Sequence, residues 1–554
     1  MLNVDDIMRE QGQMESARSG FDTLWQQAAE LMFPRQADFV GVSSTNSLFQ
    51  GQRRTDKILD EYAELALEHG VAVFEGEVIP QGSIWQRLIP RDDKLLQSQR
   101  VRVWYENLTN KLFALRNAYY SGFANQSHES ACSLLAFGNQ GTWVDTLIDR
   151  RTGRKLGLGY RSEHIGQLYI RENYWGVVDK VHRKFSLSHR QALQKWPDDP
   201  PECAAKAQRD RTNMETKAEY LHVLCPNTDY EAGRLDAKGK PIASAYVELS
   251  CRELFDTGGY RTMPLIYSRY EKAPTEEYGR GPGLTVLPAV MALQEMMADI
   301  MTATEFMARP ALGAVEDMKD QVFFYEPGGV SFGAIDPRGN RLVAPILDNV
   351  DLAQPLVLQE RTRQIVDRAF FADLYSVRDD EKTHVSATAV MDRAQQRGVL
   401  LAPLARQQPE WFTPMAEREL DLAFEMGMLD DMPPEVREAG GLYQIVYENP
   451  LTRARQAEQA GGFYQMLNGV APMMQADPTL YADFKRNYSF ERVLKGLAFI
   501  HAVPSSWETS DEEKQQIDQA TAAKAQAATL LDVGQQASEI AKNMGQATGY
   551  ANAA

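Results

Sequence analysis

Glu277-Tyr-Gly-Arg-Gly-Pro-Gly-Leu-Thr-Val-Leu-Pro288 runs without a break into Ala-Val-Met-Ala-Leu-Gln-Glu-Met-Met-Ala-Asp-Ile-Met-Thr-Ala-Thr-Glu-Phe-Met-Ala-Arg-Pro310. Glycine and proline mark a turn at the start, and Leu293, Met296, Met297, Ile300, Met301 and Met307 recur at helical spacing. With Pro288 near the first turn and Pro310 as the stop, the pattern predicts a helix over 288–309, roughly 31 Å of rod at 1.5 Å per residue. Beyond it the pattern breaks. Gly313, Gly328, Gly329, Gly333, Gly339 and Pro345 punctuate short strand candidates such as Gln321-Val-Phe-Phe-Tyr325. Helical spacing returns over 357–374 through Leu358, Ile365, Val366, Ala369 and Phe370. Two long helices therefore bracket a β-rich insert.

Towards the N-terminus, Met14, Ala17, Phe21, Leu24, Trp25, Ala28 and Leu31 form an amphipathic stripe that Pro34 should stop. A second stripe, Ile58, Tyr62, Leu65 and Leu67, runs up to Gly70, and Leu108, Leu112 and Leu115 carry a helix to about Tyr120. Strand patterns follow at Thr142–Ile148, Gly157–Tyr160, Gln167–Asn173, Gly176–His182, Tyr220–Leu224, Ala243–Leu249 and Leu265–Tyr270. Ser186 or Ser188 is placed to cap a short helix ending near Trp196, before Pro197 and Pro200-Pro201. The expected class is α+β, mainly helical, because the strands come in runs rather than in alternating βαβ units.

Towards the C-terminus, a charged break, Ser376-Val-Arg-Asp-Asp-Glu-Lys-Thr-His384, precedes a helical stretch to Met428 that must kink or split at Pro403, Pro409 and Pro414. The last hundred residues read as shorter helices. From Asp511 the chain is rich in Ala, Gln and Lys, a weak helix needing neighbouring copies or a frayed end. No internal repeat is evident.

The 554 residues suggest about three or four domains. Apolar residues make up 44% and charged residues 24%, which argues against wholesale disorder. The 59 basic against 76 acidic side chains give a net charge of −17, so this is no generic electrostatic binder of DNA. Cys132, Cys203, Cys225 and Cys251 are too sparse for a disulfide framework, which points to a reducing compartment. The acidic start lacks signal-peptide character, and uninterrupted apolar runs fall short of a bilayer span, so no membrane partner is expected.

The motifs of chemistry are missing: no G-x-x-x-x-G-K-[ST], H-E-x-x-H, EF-hand loop or G-x-S-x-G occurs. His222-x-x-Cys225 is the most closely spaced His/Cys pair, on a strand and without a second pair beside it to complete a zinc set. The acid pairs Asp92-Asp93, Asp198-Asp199, Asp379-Asp380 and Asp430-Asp431 can be solvated loops or magnesium ligands. The basic turn Arg150–Lys155 reads as a hairpin tip or a phosphate contact, and the Met-rich helix as core, subunit interface or adaptable surface. Nothing reads as an enzyme; neither a cofactor nor a metal is expected.

Three blocks in order carry a resemblance. They are Trp25-Gln-Gln-Ala-Ala-Glu-Leu-Met-Phe-Pro-Arg35, then Gly258–Tyr270 with Glu277–Leu284 and Leu287-Pro288, and Asn449-Pro-Leu-Thr-Arg-Ala-Arg-Gln-Ala457. With the helix–insert–helix plan, the chain resembles portal proteins, or head-to-tail connectors, of short-tailed double-stranded DNA phages. The resemblance implies a ring, typically of twelve subunits, around a DNA channel at one capsid vertex. It implies N-terminal helices and an α/β wing over 1–287, stem helices at 288–309 and 357–374, and a β-rich clip at 310–356. A tunnel loop at 375–386, a kinked helix returning to the wing at 387–449 and a helical crown at 450–554 complete the plan. Implied partners are DNA in transit, the terminase packaging motor, a tail adaptor, and capsid and scaffolding proteins. The implied location is the virion, with assembly in the host cytoplasm. Arg378, Lys382 and His384 would make transient phosphate contacts in the channel or form an exposed loop of balanced charge. Tyr278, Gly279, Arg280, Gly281, Pro282 and Gly283 would form the turn into the stem, with a phosphate nest as the other reading. The rivals are another ring-forming neck or tail protein and, further off, a metal-dependent nuclease or motor subunit.

Overall fold

The computed structural model describes residues 3–39, 55–149, 152–211, 213–314, 328–346, 352–372, 401–448 and 486–500, with scattered shorter pieces up to 521. The chain divides into two compact units. The larger comprises 1–85, 112–428 and 449–454, and the smaller 86–111, 429–448 and 455–554.

Helix α1 (Val4–Met32) opens on Asn3, whose side chain accepts the Asp5 N–H at 3.2 Å, with Asp5 and Asp6 at the positive end of the helix. Its buried seam is Ile7, Gln11, Met14, Arg18, Trp25, Ala29 and Met32, steps of three, four and seven. Two of these are polar. The Arg18 guanidinium donates to the carbonyls of Ile165, Gly166 and Leu168 at 3.3, 2.9 and 2.8 Å and lies 3.7 Å over the Tyr169 ring. Helix α2 (Tyr62–Val78) does not end before Gly70 but runs through it. There Phe370 packs so closely that a Cβ would stand 3.0 Å from its carbonyl oxygen.

The larger unit takes the last turn of α3 (Gln99–Arg116) and all of α4 (Phe123–Phe137). Helix α4 escaped the sequence reading because serines sit on its inner face. Ser130 bonds Thr142 at 2.9 Å and Ser162 at 3.0 Å, and Ser133 donates to the Asn139 carbonyl at 3.0 Å. Hydroxyl bonds secure the burial of those serines, which hydropathy does not register.

In the smaller unit, β1 (Gln86–Pro90) pairs with β12 (Tyr443–Tyr447), the last strand among the described residues. In the larger, β2 (Asn139–Ile148) lies between β3 (Lys155–Glu163) and β9 (Leu265–Arg269). A five-stranded antiparallel sheet runs in chain order: β4 (Leu168–Glu172), β5 (Val178–Ser188), β6 (Lys217–Pro226), β7 (Ile242–Glu248) and β8 (Glu253–Tyr260). Strand alternation gives it two cores. Leu221, Val223, Cys225 and Val247 meet Ile7 of α1. Phe185, Tyr220, Tyr246 and Phe255 face Ala192 of α5 (His189–Lys195) and Ala204 of α6 (Glu202–Arg209). Ser188 caps α5 in a full capping box with Gln191, and the helix ends at Trp196. His222 and Cys225, three apart on β6, point to opposite faces, and His222 stacks on Tyr246 at 4.0 Å.

His182 of β5 is fully buried against α1, its Nδ1 3.0 Å from Gln11 Oε1. Burial above all pushes its pKa down to about 4. The unfolded imidazole takes a proton below about 6.5, the folded one only near 4, so the unfolded state binds more protons in between. Stability should therefore fall by about 3 kcal/mol as pH drops through that window. Denaturant unfolding at pH 7, 5.5 and 4 should show this loss, and His182→Gln should flatten it.

Helix α7 spans Pro282–Ala308, starting six residues before the expected boundary. Pro282 is the residue at its first turn, and Pro288 lies inside the helix, where it deprives the Leu284 carbonyl of its partner. The insert's described strands are β10 (Leu312–Ala314) and β11 (Val343–Pro345), paired antiparallel; Val322, Phe323 and Phe324 are not in a strand. Helix α8 spans Ala353–Ala369. Pro403, Pro409 and Pro414 each sit in the first turn of a new segment: a 3-10 helix Ala402–Arg406, a π-helical turn Gln408–Phe412, and α9 (Thr413–Glu425). The expected kinked helix does not continue to 449, because a five-residue helix Pro434–Glu438 and strand β12 take over.

Candidate functional site

The turn before α7 is built by backbone pressed against backbone. Asn139 clasps Gly279 from both sides, accepting its N–H and donating to its carbonyl, each at 2.8 Å. The Arg280 N–H donates to the Glu271 carbonyl at 2.7 Å, and the Tyr270 N–H to the Gly138 carbonyl at 2.9 Å. A Cβ on Gly281 would stand 2.7 Å from the Gly138 nitrogen and 2.8 Å from the Leu134 oxygen, and one on Gly283 would run into Ala136. Neither Gly279, Gly281 nor Gly283 has a positive φ. Glycine is required here for closeness, not for a left-handed backbone. Gly281, with ψ 176°, is the N-cap and Pro282 the first helical residue.

Tyr278 is buried between Phe21 and Trp25, with ring centroids 5.5 and 5.4 Å away, and its hydroxyl accepts the Ile170 N–H at 3.3 Å. Burial pushes that hydroxyl up to about 12. Arg280 pairs with Glu276 at 2.6 Å and lies over Phe21. Gly281→Ala should therefore cost about 1–3 kcal/mol. Gly76→Ala, where nothing lies within 4 Å of the added Cβ, should stabilise α2 by about 0.5–1 kcal/mol. Thermal unfolding of the two variants side by side reads this contrast.

Asp60 ties both rods to the chain before α2. Gln294 of α7 accepts the Leu59 and Asp60 N–H groups at 2.7 and 2.9 Å and donates to the Asp60 carbonyl at 2.8 Å. The buried Asp60 carboxylate accepts from Gln359 and Arg363 of α8 at 3.1 and 3.0 Å. Tyr62 reaches Asp367 at 2.5 Å. These residues were missed from sequence because they are polar, and nothing local marks a lone Gln or Asp as buried.

Past Gln294 no residue of α7 is buried. The outer halves of the rods carry Met301, Phe306 and Met307 on α7 and Leu356, Val357 and Leu358 on α8, all 45% exposed or more. About 14 residues of α7 project this way, roughly 21 Å. The helix also contains no Lys or Arg, only Glu295, Asp299 and Glu305, each exposed.

The larger unit also holds two charge clusters, the first of which donates to the Glu277 carbonyl at the start of the turn. Arg269 bonds Glu172 and Glu410, the latter at 2.7 Å, with further donation to the Gly176 carbonyl at 2.9 Å. Arg116 and Glu419 form a fully buried pair at 2.6 and 3.1 Å, Tyr160 donating to the same carboxylate at 2.5 Å.

A family model described as bacteriophage head to tail connecting protein matches residues 5–499. The chain belongs to this head-to-tail connector family. The portal protein of Salmonella phage epsilon15 is 23% identical over 548 residues, covering 98% of this chain and 95% of that one. A probable portal protein of Bordetella phage BPP-1 is 24% identical over 455 residues, 80% and 79% of the two chains.

In a connector, the remaining sequence candidates sort as follows. Arg378, Lys382 and His384 lie outside the described residues, as do Asp379 and Asp380. Asp92 accepts the Lys94 N–H in its own turn, and Asp430 pairs with Lys111 at 2.6 Å. Helix α7 is long and apolar enough to cross a membrane by length and composition alone.

Proposed function

We propose that this chain is a non-enzymatic portal subunit, closing into a ring of about twelve copies at one capsid vertex. The ring is the conduit for double-stranded DNA during packaging and ejection and the joint between head and tail. In this reading α7 and α8 are stem helices, 310–356 the clip, 375–386 the tunnel loop and 450–554 the crown. The loop would bring Arg378, Lys382 and His384 to the phosphates. ATP hydrolysis belongs to a terminase partner, in keeping with the missing P-loop.

The observation that carries this is the pair of rods, rooted at Asp60 and apolar over outer halves that one chain leaves uncovered. A heterologous contact repeated around an axis covers such faces in every copy without leaving an open end. With Glu295, Asp299 and Glu305 as its only charged residues, α7 would present negative charge to a channel and repel phosphate, which favours transit over retention. Native mass spectrometry with electron microscopy of the purified full-length chain tests this. Rings of about twelve with an open centre are expected; a stable monomer at micromolar concentration in moderate salt overturns it. The rival, a neck or tail ring without a packaging role, predicts rings that do not bind terminase.

A further inference from the structure

Cys203, the second residue of α6, Glu248, the last of β7, and Cys251 in the turn joining β7 to β8 meet although 48 residues separate the two thiols. The two sulfurs are 3.0 Å apart, and one ligand atom from each of the three side chains lies within 4.8 Å of the others. Glu248 is fully buried, and both of its carboxylate oxygens are shut off from solvent with no hydrogen-bond partner among the described residues. Tyr220 faces it directly across the β6–β7 ladder, and its buried hydroxyl is likewise without a partner among them.

We infer that Cys203, Glu248 and Cys251 form a zinc site, with the fourth position open to water. A buried carboxylate beside two thiols is a collection of acids that lacks a counter-charge, and a divalent cation supplies it. Two sulfurs and one carboxylate oxygen match the preference of zinc for a tetrahedral, partly soft set; magnesium and calcium, which take six or more oxygens, do not fit. Burial first, then Glu248 and Cys251, hold the Cys203 thiol far above its ordinary range, so the metal-free site keeps that proton. On binding, the two thiols lose their protons to solvent as two zinc–sulfur bonds form, and the metal staples α6 onto the β7–β8 turn.

A second cluster shows what a site without a vacancy looks like. Glu68, His128 and Cys132 also converge, but there Arg35 already occupies the centre, 3.7 Å from Glu68, 3.4 Å from Glu129 and 3.5 Å from the Cys132 sulfur. No Lys or Arg plays that part among the groups that act on Cys203.

The test is the metal content of the full-length chain, purified without a histidine tag or chelator and kept reduced. About one zinc per chain is expected in the wild type and in Cys132→Ser, and close to none in Cys251→Ser, whose exposed position spares the fold. Cobalt(II) added to the metal-free wild type should give near-ultraviolet thiolate charge-transfer absorption, absent in Cys251→Ser. Zinc, but not magnesium, should raise the melting temperature of the chelator-treated protein by several degrees. The inference is overturned if the metal-free wild type takes up no more zinc than Cys251→Ser, or if reduced protein shows no cobalt–thiolate band. A Cys203–Cys251 disulfide in freshly purified protein would overturn it equally.

Discussion

Glu419→Ala is expected to destabilise the larger unit by about 3–5 kcal/mol, a large fraction of the 5–15 kcal/mol that ordinarily holds a domain together. The carboxylate is 0% exposed and the Arg116 side chain 1%, so removing one leaves a guanidinium that water cannot reach. That guanidinium is boxed by Trp85, Phe113 and Phe123, at 4.8, 4.7 and 5.4 Å from the ring centroids. The rings stabilise a cation but offer it no second anion. Tyr160→Phe removes one charge-assisted hydrogen bond and should cost less, about 1.5–3 kcal/mol. The triple change Arg116→Leu, Glu419→Leu and Tyr160→Phe removes every charged or polar member at once and should recover most of the loss. Denaturant titrations of the three variants decide the matter. A triple variant as unstable as Glu419→Ala would mean that packing, not the stranded charge, is what the site protects.

Met301→Glu with Phe306→Glu is expected to abolish ring formation while leaving the fold of the chain intact. Met301 is 46% and Phe306 45% exposed, so neither change opens a cavity within one subunit. Covering such side chains is worth about 1.5–3 kcal/mol each, and the loss recurs at every interface of a ring. The new carboxylates also join Glu295, Asp299 and Glu305 on a helix without a basic residue, so like charges meet at every subunit contact. Native mass spectrometry should show monomers or small oligomers where the wild type gives rings, with unchanged circular dichroism. Rings of undiminished abundance would place the subunit contacts elsewhere. Gln294, at the root of the same helix, makes a useful contrast: its change to Ala should lower stability first, because it frees the Leu59 and Asp60 backbone groups it now holds.

The elements read correctly from sequence are those whose instructions are local. Three-and-four spacing from Met14 to Leu31 with Pro34 as the stop gave the body of α1, the capping serine gave α5, and alternation gave most of the central strands. The prolines at 403, 409 and 414 marked the breaks they make. The ordered blocks from Trp25 to Ala457 pointed to the connector family, which the family model matches over 5–499.

What stayed hidden depends on partners far along the chain. Helix α4 hides because Ser127, Ser130 and Ser133 interrupt its buried apolar face, and β1 and β12 because each needs a partner more than 350 residues away. Asp60, Gln294 and Gln359 look like surface residues until tertiary structure supplies their hydrogen bonds. The Gly-Arg-Gly-Pro-Gly turn was legible as a turn, but its reason was not. Spacing and capping act within a few residues and can be read there. Close backbone approach, buried charge and the meeting of Cys203 with Cys251 arise only once distant segments are brought together, and only the tertiary structure decides those.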